Sequence, residues 1–105
     1  MTLLTKKIID ALPPLYATDG IPLEEKVVIC KFFTPDANWT WFVFEGVPLE
    51  HQPEDYELFG MVHGFEKEMG YFYLSELNQV RGKLGLPIER DLSIFQKPYG
   101  QCHPC

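Results

Sequence analysis

Cysteine and serine are scarce in this 105-residue chain, bases are outnumbered, and long apolar runs are missing. Three cysteines, two of them within the last four residues, do not make the disulfide framework of a small secreted scaffold. A reducing, cytoplasmic setting is the expectation. Only Ser75 and Ser93 carry a serine hydroxyl, and neither stands in a nucleophile-elbow context. No apolar run exceeds seven residues, too short for a membrane-crossing helix or a signal-peptide core. Gly60, Gly64 and Gly70 fit neither P-loop nor dinucleotide-binding spacing. Nine bases against fifteen acids leave a net charge of −6. That sign repels phosphate and argues against direct contact with nucleic acid.

What is present is a globular composition, 46% hydrophobic and 14% aromatic. A chain of this size buries about two-thirds of its unfolded surface, enough for a core without disulfides or metal. Disorder is excluded. The acidic excess is concentrated. Residues 50–76 hold Glu50, Glu54, Asp55, Glu57, Glu66, Glu68 and Glu76 against one base, Lys67, while the remaining residues balance. Such a stretch suits either a solvated surface or a basic protein partner.

Leu3 to Leu12 reads as a short amphipathic helix stopped by Pro13-Pro14. Asp19-Gly20 marks a turn. Strands are expected over Val27–Thr34, Trp39–Glu45, Tyr56–Phe65 and Gly70–Leu74, followed by a helix from Ser75, as cap, to Arg81. The short connections favour hairpins over parallel crossovers. The fold class is therefore α+β: a small antiparallel sheet of about four strands with a short helix at each end. Residues 1–97 form one domain, and 98–105 read as a loose tail.

Alternation sets Trp39, Trp41 and Val43 against Thr40, Phe42 and Phe44. It likewise sets Val27, Ile29 and Phe33 against Val28, Cys30 and Phe32, and Leu58 and Val62 against Phe59, Met61 and Phe65. Both faces are apolar, so two short helices leave one face to be covered by the C-terminal segment, a second copy or a partner. Cys30, inside an apolar run, reads as a small buried hydrophobe.

Cys102-His103-Pro104-Cys105 resembles half of a zinc site, but a second ligand pair is absent and no helix follows to activate a thiol. Glu66 and Glu68, with His63 nearby, could serve acid–base chemistry or a cation, yet further ligands at recognisable spacing are lacking. Trp39 and Trp41 lack the basic surroundings of a base-stacking platform and read as core residues or as an anchor for a protein partner. Arg81 is expected to pair with Glu76 or Asp91.

Three stretches carry a resemblance: Leu12-Pro13-Pro14-Leu15-Tyr16-Ala17-Thr18, Lys31-Phe32-Phe33-Thr34-Pro35 with Asn38-Trp39-Thr40-Trp41, and Phe59-Gly60-Met61-Val62-His63-Gly64-Phe65-Glu66. Two more follow, Gly70-Tyr71-Phe72-Tyr73-Leu74-Ser75-Glu76-Leu77 and Gly85-Leu86-Pro87-Ile88-Glu89-Arg90-Asp91. Over roughly residues 3–95 the chain resembles a bacterial family known only as domain of unknown function 2958. The resemblance implies a short cytosolic protein of plasmids, conjugative elements and phages, and brings no catalytic residues with it. Mobile-element cargo of this kind implies a bias toward conflict with host defences.

The functional expectation is a non-enzymatic, acidic protein-binding module, with no catalytic residue, metal or cofactor. Its acidic contact residues are Glu50, Glu54, Asp55, Glu57, Glu66 and Glu68, and its aromatic ones Trp39 and Trp41. The sharpest version inhibits a restriction or CRISPR system by binding a basic, nucleic-acid-handling protein. An accessory factor in plasmid replication or transfer, and an enzyme using Glu66, Glu68 and His63, are the alternatives. A homodimer fits the apolar faces.

Overall fold

Thr5 decides where the first helix begins, because its hydroxyl accepts the Ile8 N–H at 3.3 Å and caps the N-terminus. Helix α1 therefore spans Lys6–Ala11, shorter than the apolar pattern over residues 3–12 suggests. Leu3 and Leu4 are buried ahead of it without being helical. A computed structural model describes residues 2–102 of the chain.

The strands are β1 (Val27–Val28), β2 (Cys30–Phe33), β3 (Thr40–Pro48), β4 (Tyr56–His63) and β5 (Lys67–Tyr73). Helix α2 (Leu74–Leu77) follows, then β6 (Glu89–Arg90) and β7 (Lys97–Pro98). Five of them form an antiparallel sheet in the order β5-β4-β3-β2-β6, and β1 pairs with β7 in a separate two-stranded ribbon. The class is α+β. The expectation of about four strands fell short because β6 is a two-residue contact on β2, too brief to leave a periodic signature.

Alternation is broken at two places. The run over residues 27–34 is two strands, and Ile29 between them joins Cys30 and Phe32 in one core layer while Val28 lies in the other. The expected grouping of Ile29 opposite Cys30 and Phe32 is thus overturned by the chain's change of sheet. In β3 the pairing slips between Val43 and Glu45, so Phe44 is an inserted residue. Phe65 is also displaced from its expected strand face, since β4 ends at His63 and Phe65 falls in the turn.

One face carries Cys30, Phe32, Trp41, Val43, Leu58 and Phe72 beneath α1, Leu77 of α2 and Ile88. The opposite face carries Phe42, Phe44 and Met61, and its cover is the C-terminal segment through Ile94, Tyr99 and Cys102. The loose tail expected from residue 98 is therefore corrected as far as Cys102. The Tyr99 N–H donates to the Lys26 carbonyl at 2.8 Å, and Lys31 reaches Asp91 at 3.5 Å. Burial of the Tyr99 ring against Phe42 and Phe44 holds this segment down. His103, Pro104 and Cys105 lie outside the described residues, and with them most of the Cys-His-Pro-Cys motif.

The second helix departs from expectation in its cap. Tyr73 takes the N-cap position, and its N–H donates to Glu76 Oε1 at 2.9 Å. Ser75 lies inside the helix and donates from its N–H and hydroxyl to the two Asp55 oxygens at 2.9 and 2.8 Å. Arg81 pairs with neither Glu76 nor Asp91 in the hydrogen bonds formed. It donates instead to the Asn78 and Val80 carbonyls, which the short helix leaves unsatisfied.

Candidate functional site

Trp39 stands immediately before β3 and is fixed from both sides of its backbone. The Trp39 N–H donates to Thr34 Oγ1 at 3.1 Å, and the Thr34 N–H donates to the Trp39 carbonyl at 3.0 Å. Its indole stacks on Trp41 with centroids 6.0 Å apart and meets the Phe65 ring edge-on at 5.4 Å. A Cβ on Gly64 would overlap the indole, so the missing side chain there sets the ring's position. Trp41 is buried in the core, Trp39 is half-buried, and Phe65 is 95% exposed.

Three surface hollows meet on this indole. One of about 340 Å³ is lined by Trp39, Val62, Phe65, Glu66 and Glu68. A second, about 380 Å³, lies between Trp39, Trp41 and Val80 and is rimmed by Arg81 and Lys83. The third, about 720 Å³, runs along Pro35 to Trp39, Gly64, Phe65 and Lys83. The aromatic corner thus separates a carboxylate side from an ammonium and guanidinium side. Two rings near a right angle with carboxylates beside them attract a cation through both quadrupole and charge. Neither Glu66 nor Glu68 forms an ion pair with a described residue.

The acidic residues read from the sequence do not form one patch. Glu50, Glu54, Asp55 and Glu57 lie in or beside the β3–β4 connection, whereas Glu66 and Glu68 lie at the β4–β5 turn. Along β4, Glu57 and Val62, the residue opposite Glu68, are roughly 16 Å apart at a strand's rise of about 3.3 Å per residue, and Asp55 is two residues farther. Asp55 is engaged structurally. Its slight burial favours the neutral form, but hydrogen bonds from Ser75 and from the Tyr56 N–H outweigh this and hold its pKa below the usual value. Glu76 is likewise occupied by the α2 cap.

His63 faces away from Glu66 and Glu68. Its ring packs on Phe42 at 4.8 Å, and its Nε2 is 2.6 Å from the Tyr99 hydroxyl, in the layer covered by the C-terminal segment. The sheet therefore lies between the imidazole and the two carboxylates. Among the described residues, no group of three or more His, Cys, Asp and Glu side chains is arranged to hold a metal ion. Cys30 is enclosed, and burial pushes its thiol up to about 12, slightly opposed by Arg90.

The sequence profile of a family described as Protein of unknown function (DUF2958) matches residues 3–99. The chain belongs to that family. The DUF2958 span takes in the whole Trp39 corner and extends past Pro98 to Tyr99, in keeping with β7 being part of the folded unit. No curated protein and no solved structure matches. No helix among the described residues is long and apolar enough to cross a membrane.

One buried polar cluster went unnoticed in the sequence. Glu45 is 1% exposed, and the Phe44 insertion turns it onto the face that also carries Phe59. Its Oε1 accepts the Tyr16 N–H at 2.7 Å and its Oε2 the Thr18 N–H at 2.9 Å, with the Thr18 hydroxyl as a further donor to Oε2. Buried Lys26 donates to the Thr18 carbonyl and, at 3.1 Å, to the same hydroxyl. Three of the carboxylate's about four acceptor sites are thus taken. The cluster anchors the connection after α1, where Tyr16 sits at φ +72. An acid in the middle of an apolar strand run was its one sequence signal.

Proposed function

We propose that this chain is a non-enzymatic protein-binding module that receives a basic side chain of its partner in the corner formed by Trp39 and Phe65. Glu66 and Glu68 supply the counter-charge. The observation that carries the reading is the coincidence of a 95% exposed Phe65, an indole edge and two unpaired carboxylates around one hollow of about 340 Å³. Desolvated cation–π contact is worth about 2 kcal/mol, and a charge-assisted hydrogen bond about 1.5–3 kcal/mol. Arg81 and Lys83 in the neighbouring hollow carry the opposite charge, so a partner presents its base next to an acid or a carbonyl.

In its sharper form the partner is a basic, nucleic-acid-handling protein of a host restriction or CRISPR system. The acidic balance of −6 and the mobile-element setting implied by the family resemblance support that choice. Calorimetry with an arginine-rich peptide tests the site. Binding is expected to weaken with salt and to be lost in Trp39→Ala and in Glu66→Lys/Glu68→Lys, while Glu50→Lys/Glu54→Lys retains it. Equal loss in both charge-reversal pairs would reduce the interaction to net charge. Inhibition of nuclease cleavage by the purified chain tests the sharper form.

A further inference from the structure

Strand β5 runs along the open margin of the five-stranded sheet, paired with β4 through seven consecutive positions and with nothing described on its other side. Margins are ordinarily blunted by a bulge, a proline or interior charges. β5 has no proline, its pairing shows no slip, and its charges, Lys67 and Glu68, stand at its first two positions. Met69, Tyr71 and Tyr73 are 38%, 49% and 40% exposed, and the space beside Gly70 is open.

We infer that β5 pairs antiparallel with β5 of a second copy of this chain, about a two-fold axis at Gly70. One antiparallel register spans all seven residues, with the Tyr73 N–H kept by Glu76 within its own chain. It sets Lys67 opposite the second copy's Tyr73, Glu68 opposite its Phe72, Met69 opposite its Tyr71, and the two Gly70 residues opposite each other. No like charges face across the axis. Charge placement favours this occupant over an unrelated strand. Lys67 is the one base among the seven acids of residues 50–76. The register lays it beside the second copy's Tyr73, whose strand partner is Glu57 and whose N–H is held by Glu76. The lone base of each copy therefore lies toward the acidic end of the other, one strand away from Glu57, and does so twice. Each Met69 lies opposite a Tyr71 whose ring leans on Phe59 and Tyr16 of its own chain, an apolar pairing repeated by symmetry. The result is one continuous sheet of ten strands, five from each copy.

The pairing is independent of the Trp39 corner in its readout, which is mass rather than ligand binding. Sedimentation of the full chain is expected to show twice the 12.2 kDa monomer mass, dissociating on dilution. Met69→Lys/Tyr71→Lys places lysine opposite lysine and is expected to give a monomer. Met69→Lys/Tyr71→Glu places lysine opposite glutamate on both sides and is expected to restore the dimer. Should the double-lysine variant fail to fold, Gly70→Cys provides the second measurement: oxidation of the folded protein is expected to cross-link two copies through this position. A wild-type monomer at concentrations up to about 1 mM, identical masses for the two double variants, no cross-link, or a mass that keeps growing with concentration would each overturn the pairing.

Discussion

Replacing Glu45 by alanine removes the acceptor on which the post-α1 connection hangs. The Tyr16 N–H, the Thr18 N–H and the Thr18 hydroxyl lose their partner together, and the hydroxyl that links Lys26 to the carboxylate is left without its acceptor. Each buried donor left without its acceptor costs about 1–3 kcal/mol, because it keeps its desolvation penalty, so three orphaned together cost at least about 3 kcal/mol. Whole domains are stable by only about 5–15 kcal/mol. In a domain of about this size each kcal/mol moves Tm by about 4–8 °C, so Glu45→Ala is expected to lower Tm by at least about 12 °C. Glu45→Gln keeps a carbonyl acceptor for the two Thr18 donors but turns its NH2 group toward the Tyr16 N–H, and is expected to fall between wild type and alanine. Urea denaturation and a thermal scan followed by circular dichroism measure both. A loss below about 1 kcal/mol for Glu45→Ala would refute the buried carboxylate and its three hydrogen bonds.

Gly64→Val is expected to push the Trp39 indole out of its seat and weaken peptide binding about tenfold in the same calorimetric titration. In a Cys102→Ser/Cys105→Ser variant, the Cys30 thiol, at about 12 against an ordinary 9.0, is expected to resist a thiol reagent at pH 8 until the protein unfolds. Rapid modification of native protein would contradict its enclosure. Asp91 is held below its ordinary pKa. Partial burial opposes this, but hydrogen bonds from Ser93 and the charge and hydrogen bond of Lys31 outweigh it. The sign follows: a carboxyl lowered in the folded state contributes stability above its unfolded value of 3.8 and loses it as pH falls through the folded value. Acid titration followed at the Ser93 amide is expected to show a midpoint below 3.8, and Asp91→Asn to abolish that transition.

Period-2 alternation over residues 39–44 correctly separated Trp41 and Val43 from Phe42 and Phe44, because local sterics and burial act on each residue of a regular strand. Cys30 was likewise legible from its apolar run. What stayed hidden depended on partners distant in sequence. The extra residue at Phe44 is defined only by its register against β4 and decides that Glu45 turns inward on that face. Ser75 has the chemistry of a cap, yet Asp55, twenty residues earlier, draws it into the helix. The cover formed by residues 94–102 rests on Ile94 and Tyr99, separated by Pro98 and a short turn, a spacing with no helical or strand period. At the candidate site the acids and the tryptophans were visible one by one. Their assembly was not, since the β4–β5 turn brings Phe65, Glu66 and Glu68 to Trp39 and carries Glu50 and Glu54 away from it.

Nitrogen-15 NMR of the two indole Nε1–H groups during titration with an arginine-rich peptide tests the Trp39 corner most directly. Trp39 is half-buried against Phe65 and the hollow, whereas Trp41 is 7% exposed in the core beside it. The Trp39 resonance is expected to shift saturably, together with the Glu66 and Glu68 amides, while Trp41 moves far less. Still indoles, with shifts gathered around Glu50 and Glu54, would contradict it.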